Sequence, residues 1–273
     1  MLYRRFWLTN AKGDSWTFSN QEIRSFLCDP EGLGFKKSMD LIRYGERLKV
    51  DAQYYDFPEP SGEVLFCDSN NADRYRKYHL FSRFLMEEPL TLYYELPLET
   101  PVVFSLECKA SKLTKTESTA KKMLICSIEF QGLGFWKGTP VTLTGSSSSY
   151  SLVNNGQMPV GFEITLTGIS MENPYFTLEQ NSEVYGEAKF YDGSNLFNKV
   201  YVDSIDGEQN VELEQGGSVL PNPLSYQDLS ISNGSIYVTF VKIARGTSTL
   251  TIGMDSGSLT SAAISFTPIY RSV

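Results

Sequence analysis

In the second half of this chain hydrophobic residues recur at every second position, in short runs cut off by turn-forming dipeptides. Phe162, Ile164 and Leu166 alternate with Glu163, Thr165 and Thr167. Ile236, Val238 and Phe240 repeat the pattern, as do Leu250 and Ile252. A period of two places successive side chains on opposite faces, so each run predicts one buried and one wet face. Val184–Tyr191 and Lys199–Asp203 read as further strands. Asn154-Asn155-Gly156, Asp192-Gly193, Asp206-Gly207 and Asn233-Gly234 supply the turns between them. No helix of normal length is legible in this half, so an antiparallel β-sandwich is expected.

The first half reads as β structure with one helix. Tyr75, Tyr78, Phe81, Phe84 and Leu85 follow at three- and four-residue spacing, with Arg74, Arg76, Lys77 and Arg83 on the other face. That spacing predicts a helix over 72–87, with Asn71 as its cap and Pro89 as its stop. Gly62–Cys67 and Met123–Phe130 are expected strands around it. Residues 36–57 predict a long hairpin that turns near Tyr44-Gly45-Glu46.

Charge divides the chain at the same place. Up to residue 140 there are 19 Lys and Arg against 19 Asp and Glu; beyond it there are 5 against 13. The second half therefore carries the whole net charge of −8, while all four Cys, all three Trp and the single His lie in the first. This break predicts a domain boundary near 138–150, with Gly145–Ser149 as the linker. The domains are accordingly read as 1–140 and 141–273.

Several function classes are disfavoured. A phosphate backbone attracts positive surface, which an acidic chain of pI near 4.9 lacks. No run of about 18 apolar residues predicts a transmembrane helix, and the first ten residues do not read as a signal peptide. Cytoplasmic synthesis is expected, without membrane insertion.

Catalytic chemistry has few candidates. A serine or cysteine hydrolase usually needs a His as base, and His79, within the helix, is read as structural. Cys28, Cys67, Cys108 and Cys126 are too scattered for a zinc site and are expected to be reduced thiols. Asp203–Glu208 holds oxygen ligands but misses the EF-hand spacing, so a solvated turn is expected there. Glu212 and Glu214 form one of many carboxylate pairs that a strand face produces, and no pair stands out for glycoside hydrolysis. No phosphate-binding glycine motif is present. No catalytic residue, metal or cofactor is assigned.

Two segments repeat: Gly32-Leu33-Gly34-Phe35 and Gly132-Leu133-Gly134-Phe135. The first is shared with the carboxylate-binding loop of PDZ domains, yet the strands and grooved helix that should follow it are not recognisable. Glycines permitting tight backbone geometry beside an anchoring aromatic are the expectation. A sugar site on the second domain is a separate reading. Stacking would have to use tyrosines such as Tyr150, Tyr175, Tyr185 or Tyr201, because that half has no Trp, and packing is the expected role of most of them.

The order of motifs carries a resemblance. Leu8-Thr9-Asn10-Ala11-Lys12-Gly13 precedes Phe26–Phe35, then come the aromatic helix, Leu92-Tyr93-Tyr94, and a strand ending Ile128–Lys137. This resembles the N-terminal domain of distal tail proteins of long-tailed phages (siphophages) that infect Gram-positive bacteria. Asn155–Val160, Ile164–Gly168, Asn173-Pro174 and Val184-Tyr185-Gly186 follow in the order of that family's galectin-like C-terminal domain. The fold class implied is mainly β: an N-terminal β-sandwich-like ring domain with one α-helix, then a C-terminal galectin-like antiparallel β-sandwich.

The resemblance implies a structural virion protein of the tail tip or baseplate. It would be a homohexameric ring joining the major tail tube protein to the tail-associated hub protein. Its second domain would carry receptor-binding or other baseplate proteins, and DNA would only pass through the lumen. A closing ring needs a heterologous contact, often helped by an embracing arm. Residues 36–57 are the candidate arm, with Met39, Leu41, Ile42, Arg43, Arg47 and Leu48 as its contact residues. The rival readings are a glycan-binding accessory protein attaching to the host wall through the second domain and, behind it, an undetected hydrolase.

Overall fold

The computed structural model describes residues 5–18, 25–44, 47–68, 70–96, 98–118, 123–190, 196–219, 237–238 and 240–273. The chain divides into two compact units. The first comprises Met1–Thr139 together with Tyr270–Val273, and the second comprises Pro140–Ile269.

The first unit runs β1 (Arg5–Thr9), β2 (Ser15–Thr17), β3 (Ser25–Glu31), β4 (Lys36–Tyr44), β5 (Arg47–Asp56) and β6 (Ser61–Cys67). The helix α1 (Asn71–Leu85) follows, then β7 (Leu90–Leu96), β8 (Val102–Ser118), β9 (Met123–Gly132) and β10 (Trp136–Lys137). Its main sheet has the order β2-β1-β7-β8-β9-β6-β3, with β10 paired to β8. Strand alternation buries Leu90, Leu92 and Tyr94 of β7 and Leu124, Cys126, Ile128 and Phe130 of β9 on one face.

The helix covers that face. Phe81 is fully buried, its ring centre 5.0 Å from Trp16, 5.7 Å from Phe66 and 5.8 Å from Phe18. Its cap is Asn70 rather than the expected Asn71: the Asn70 side chain accepts the Ala72 N–H at 2.9 Å. The helix ends at Leu85, before Pro89 is reached, where the Met86 N–H bonds back to the Arg83 carbonyl at 3.2 Å. Arg76 and Arg83 are exposed as expected. Lys77 is drawn inward by Asp68 at 2.8 Å, and Arg74 is buried, donating to the Asn71 side chain.

The second unit is two packed sheets. Its strands are β11 (Val141–Gly145), β12 (Ser149–Asn154), β13 (Phe162–Glu172), β14 (Tyr175–Gln180), β15 (Glu183–Lys189) and β16 (Leu196–Asp203). They continue with β17 (Asn210–Gln215), β18 (Ser218–Val219), β19 (Tyr237–Val238), β20 (Gly246–Gly253) and β21 (Ser256–Phe266). One sheet has the order β11-β21-β13-β16-β17-β18, and the other β12-β20-β14-β15-β19. Phe162, Ile164, Leu166, Val200 and Ile264 of the first join Leu152, Phe176, Leu178, Leu250 and Ile252 of the second in one core. The wet face carries Glu163, Thr165 and Thr167, as alternation predicts.

Two expectations change here. Residues 145–149 are not a linker. They turn the chain from β11 in one sheet to β12 in the other, with the Ser147 hydroxyl donating to the Ser149 carbonyl at 2.8 Å. The composition is the same in either role, since Gly and Ser suit any sharp turn; the flanking Leu143 and Leu152, packed in the sandwich, decide it. The other change is at the far end of the chain. There β22 (Ile269–Tyr270) pairs with β10 in the first unit's sheet, so residues 270–273 group with the first unit. Of the alternation at Ile236, Val238 and Phe240, Ile236 lies outside the described residues, and Phe240 packs half-buried past the end of β19. Asp192-Gly193 and Asn233-Gly234 also lie outside them.

Candidate assembly site: the hairpin arm

Among the described residues, strands β4 and β5 pair only with each other. The register runs from Lys36↔Asp56 to Tyr44↔Arg47, with a bulge that leaves Asp51 extra between Asp40↔Ala52 and Leu41↔Val50. At roughly 3.3 Å per residue, nine residues reach about 30 Å. Paired residues share a face, so Met39, Leu41, Val50 and Gln53 lie on one side of the ribbon. Ser38, Asp40, Ile42 and Tyr54 lie on the other.

The second side is tied together by polar contacts. The Ser38 hydroxyl donates to Asp56 at 2.9 Å, and the Tyr54 hydroxyl donates to Asp40 at 3.2 Å. That bond to a carboxylate raises the Tyr54 pKa above its ordinary value. Away from its root, the first side is open among the described residues. Met39 and Leu41 are each 51% exposed and Val50 is 45% exposed, while Ile42 across the ribbon is 42% exposed. Isolated two-stranded hairpins are marginal in water, and clustered exposed apolar side chains mark contact surfaces. Arg43 is exposed beside them. Arg47 and Leu48 stand opposite Tyr44 and Arg43 in the register; their side chains, and the turn residues 45–46, lie outside the described residues.

What the hairpin lacks in a core it gains at its root, where both Gly-Leu-Gly-Phe segments converge. Phe35 meets Tyr55 edge-on with ring centres 5.6 Å apart, and Phe135 meets Phe57 the same way at 5.2 Å. The first glycine of each segment allows a close backbone approach. A Cβ on Gly32, where φ is +70°, would lie 2.1 Å from the Glu59 carbonyl oxygen, and one on Gly132 would lie 2.7 Å from that of Pro58. Gly132 also donates its N–H to the Pro58 carbonyl at 2.9 Å. The second glycines, Gly34 and Gly134, face open space. Lys36 adds ion pairs with Asp56 at 3.8 Å and Glu59 at 3.7 Å.

Sequence reasoning singled out the repeated segments but not what they do. It also missed Val50, Tyr54 and Tyr55 on the returning strand and Phe57 just past its end. The aromatic run Tyr54-Tyr55-Asp56-Phe57, matched to a repeated Gly-to-Phe motif, was the available signal.

The remaining candidates do not assemble into a site. His79 is exposed on the helix, its ring 5.5 Å from Tyr78. All four cysteines are free thiols; Cys108 and Cys126 are buried, and burial pushes their pKa values up to about 12 and about 11. Thiols so rarely ionised are poor nucleophiles. No cluster of three or more potential metal ligands occurs among the described residues. Asp203–Glu208 forms a turn in which Asp203 accepts the Ile205 N–H at 2.8 Å. Tyr201 donates to Glu163 at 2.9 Å, and burial together with this bond raises its pKa. Tyr150 packs against the core, and Tyr185 donates to Ser248 at 2.9 Å.

Residues 5–133 match the family described as distal tail protein, N-terminal domain. The crystal structure of SPP1 Dit (gp 19.1), a hub adsorption apparatus protein of phages infecting Gram-positive bacteria, has the same fold. It aligns with a TM-score of 0.67 at 13% identity, over 96% of this chain and 98% of that chain. A chain of the phage P2 baseplate, in its activated conformation with Ca, aligns with a TM-score of 0.54 at 11% identity over 99% and 100% of the two chains. Its Sr form gives 0.55 at the same identity and coverage. No curated protein matches the chain by sequence.

Proposed function

We propose that this chain, whose residues 5–133 match the N-terminal domain of the distal tail protein family, is a structural component of a phage tail tip, built into the virion as a homohexameric ring. The first unit forms the ring between the major tail tube protein and the tail-associated hub protein. The second unit, a galectin-like sandwich in this reading, carries receptor-binding or other baseplate proteins. Its role is to connect, not to catalyse.

The hairpin arm is the observation that carries the reading. A ring grows through a heterologous contact, in which one patch of a subunit meets a different patch of the next. An arm of about 30 Å that exposes apolar side chains can reach a neighbour and bury them there. The first 140 residues balance 19 Lys and Arg against 19 Asp and Glu, and a ring without excess positive charge suits a lumen through which DNA slides, since phosphate contacts would slow it.

Light scattering after size-exclusion chromatography tests this directly. The expected native mass is that of six 30.7 kDa chains. Replacing residues 38–54 by a short Gly-Ser turn should yield folded monomers. A hexamer that survives the replacement would remove the arm from the assembly, and a wild-type monomer at every concentration would count against the ring. Tight, salt-sensitive DNA binding by the ring would contradict the sliding lumen.

A further inference from the structure

Residues 270–273 reach the root of the arm from the other end of the sequence. Tyr270 packs edge-on against Phe104 with ring centres 5.0 Å apart, which seats the segment on the first unit's core. The guanidinium carbon of Arg271 then lies 3.6 Å from the centre of the Tyr55 ring, at contact distance for a cation–π stack. Two residues on, the Val273 N–H donates to the Leu33 carbonyl at 3.0 Å. Tyr55 belongs to the strand returning from the arm, and Leu33 to the turn that launches the outgoing one. One short segment therefore grips both sides of the hairpin's base.

We propose that residues 270–273 are a clasp that aims the arm, with Arg271 as its positioning residue. The proposal rests on the reading of the arm as the ring-forming element. A two-stranded ribbon held at one end would swing, and docking it would then require ordering it at the same moment. Fixing its direction beforehand reduces that ordering penalty and tightens association. Arg suits the position because its planar guanidinium stacks on a ring as a Lys ammonium does not. Lys37, registered opposite Tyr55, places its ammonium 5.7 Å from the same ring centre, so the tyrosine is flanked by cations from two distant parts of the chain.

The test uses the full chain with Arg271→Ala and Arg271→Lys, read by amide hydrogen exchange and by the mass of the ring on dilution. Arg271→Ala should speed exchange around residues 33–37 and 53–57 by roughly three- to tenfold, and Arg271→Lys should restore part of that protection. Exchange in β7, β8 and β9 of the same unit should not change, which shows that the variant is folded. The ring of Arg271→Ala should fall apart at a several-fold higher concentration than wild type. Unchanged exchange at the root overturns the clasp, as does faster exchange with an unchanged dissociation point. If the hairpin replacement gives monomers while Arg271→Ala rings persist like wild type, the arm reading stands and the clasp fails. If the hairpin replacement leaves the ring intact, the arm reading fails and the clasp loses its role in assembly with it.

Discussion

Strands β4 and β13 are both amphipathic, and they meet opposite fates. In β13, Phe162, Ile164 and Leu166 are 1%, 0% and 0% exposed, sealed by a second sheet of the same unit. In β4, Met39, Leu41 and Ile42 are 51%, 51% and 42% exposed, because among the described residues the strand has one partner strand and no second layer. The hydrophobic effect depends on apolar area removed from water and is indifferent to which chain removes it. The sandwich satisfies it within one unit. The arm leaves these side chains in water.

The largest expected effect sets these two strands against each other. Leu166→Ala should lower the stability of the second unit by about 2–5 kcal/mol, because it opens a cavity in a closed core. Leu41→Ala should change stability by no more than about 0.5 kcal/mol, as exposed substitutions do, while weakening the ring. Thermal unfolding and light scattering on both variants read the two axes. If Leu41→Ala destabilises the fold as much as Leu166→Ala, the arm is an ordinary part of the core and the contrast is broken.

A smaller effect sharpens the picture at the arm's root. Gly32→Ala forces a Cβ toward the Glu59 carbonyl at a positive φ, and should destabilise the first unit by about 1–3 kcal/mol. Gly34→Ala, in open space, should lie within about 0.5 kcal/mol of wild type. Urea unfolding followed by tryptophan fluorescence reports on the first unit, because all three Trp lie there. Equal effects at the two glycines would mean that the close approach does not matter.

The smallest effect belongs to the sandwich. Burial raises the Asp203 pKa, helped by the charges of Glu163 and Glu208 and opposed by the bond from Ile205. A carboxyl raised in this way binds its proton more tightly folded than unfolded. Its contribution is full below the unfolded value of about 3.9 and is lost as pH rises through the folded one. Asp203→Asn keeps an acceptor for Ile205 and removes the buried charge. It should raise the second unit's melting midpoint by about 1–2 °C at pH 7, and the gain should shrink as pH falls through the raised folded value and be gone below about 4. A gain that is constant with pH would refute the burial explanation.

Much of this was legible in the sequence, for identifiable reasons. Periodic runs such as Phe162-Ile164-Leu166 and the spacing of Phe81, Phe84 and Leu85 encode strand and helix locally, and both elements formed. The hairpin of residues 36–57 was legible because its two apolar runs flank a short turn. Features that depend on distant partners were not. The Gly145–Ser149 stretch reads equally as linker or turn until Leu143 and Leu152 find the sandwich core. Asn70 and Asn71 are both competent caps, and only the folded chain shows that it is Asn70 that accepts the Ala72 N–H.

The sequence by itself determined the period of each element, the neutral and acidic halves, the two glycine-led repeats and the hairpin of residues 36–57. All of these are properties of neighbouring residues or of composition. Only the tertiary structure decided that the Phe residues of the two repeats converge on one hairpin root, and that Arg271 returns across more than two hundred positions to stack on Tyr55. Local propensity reaches a few residues along the chain. A contact between residues so far apart forms only when burial of the intervening segments closes the loop between them, and no short window of sequence records that closure.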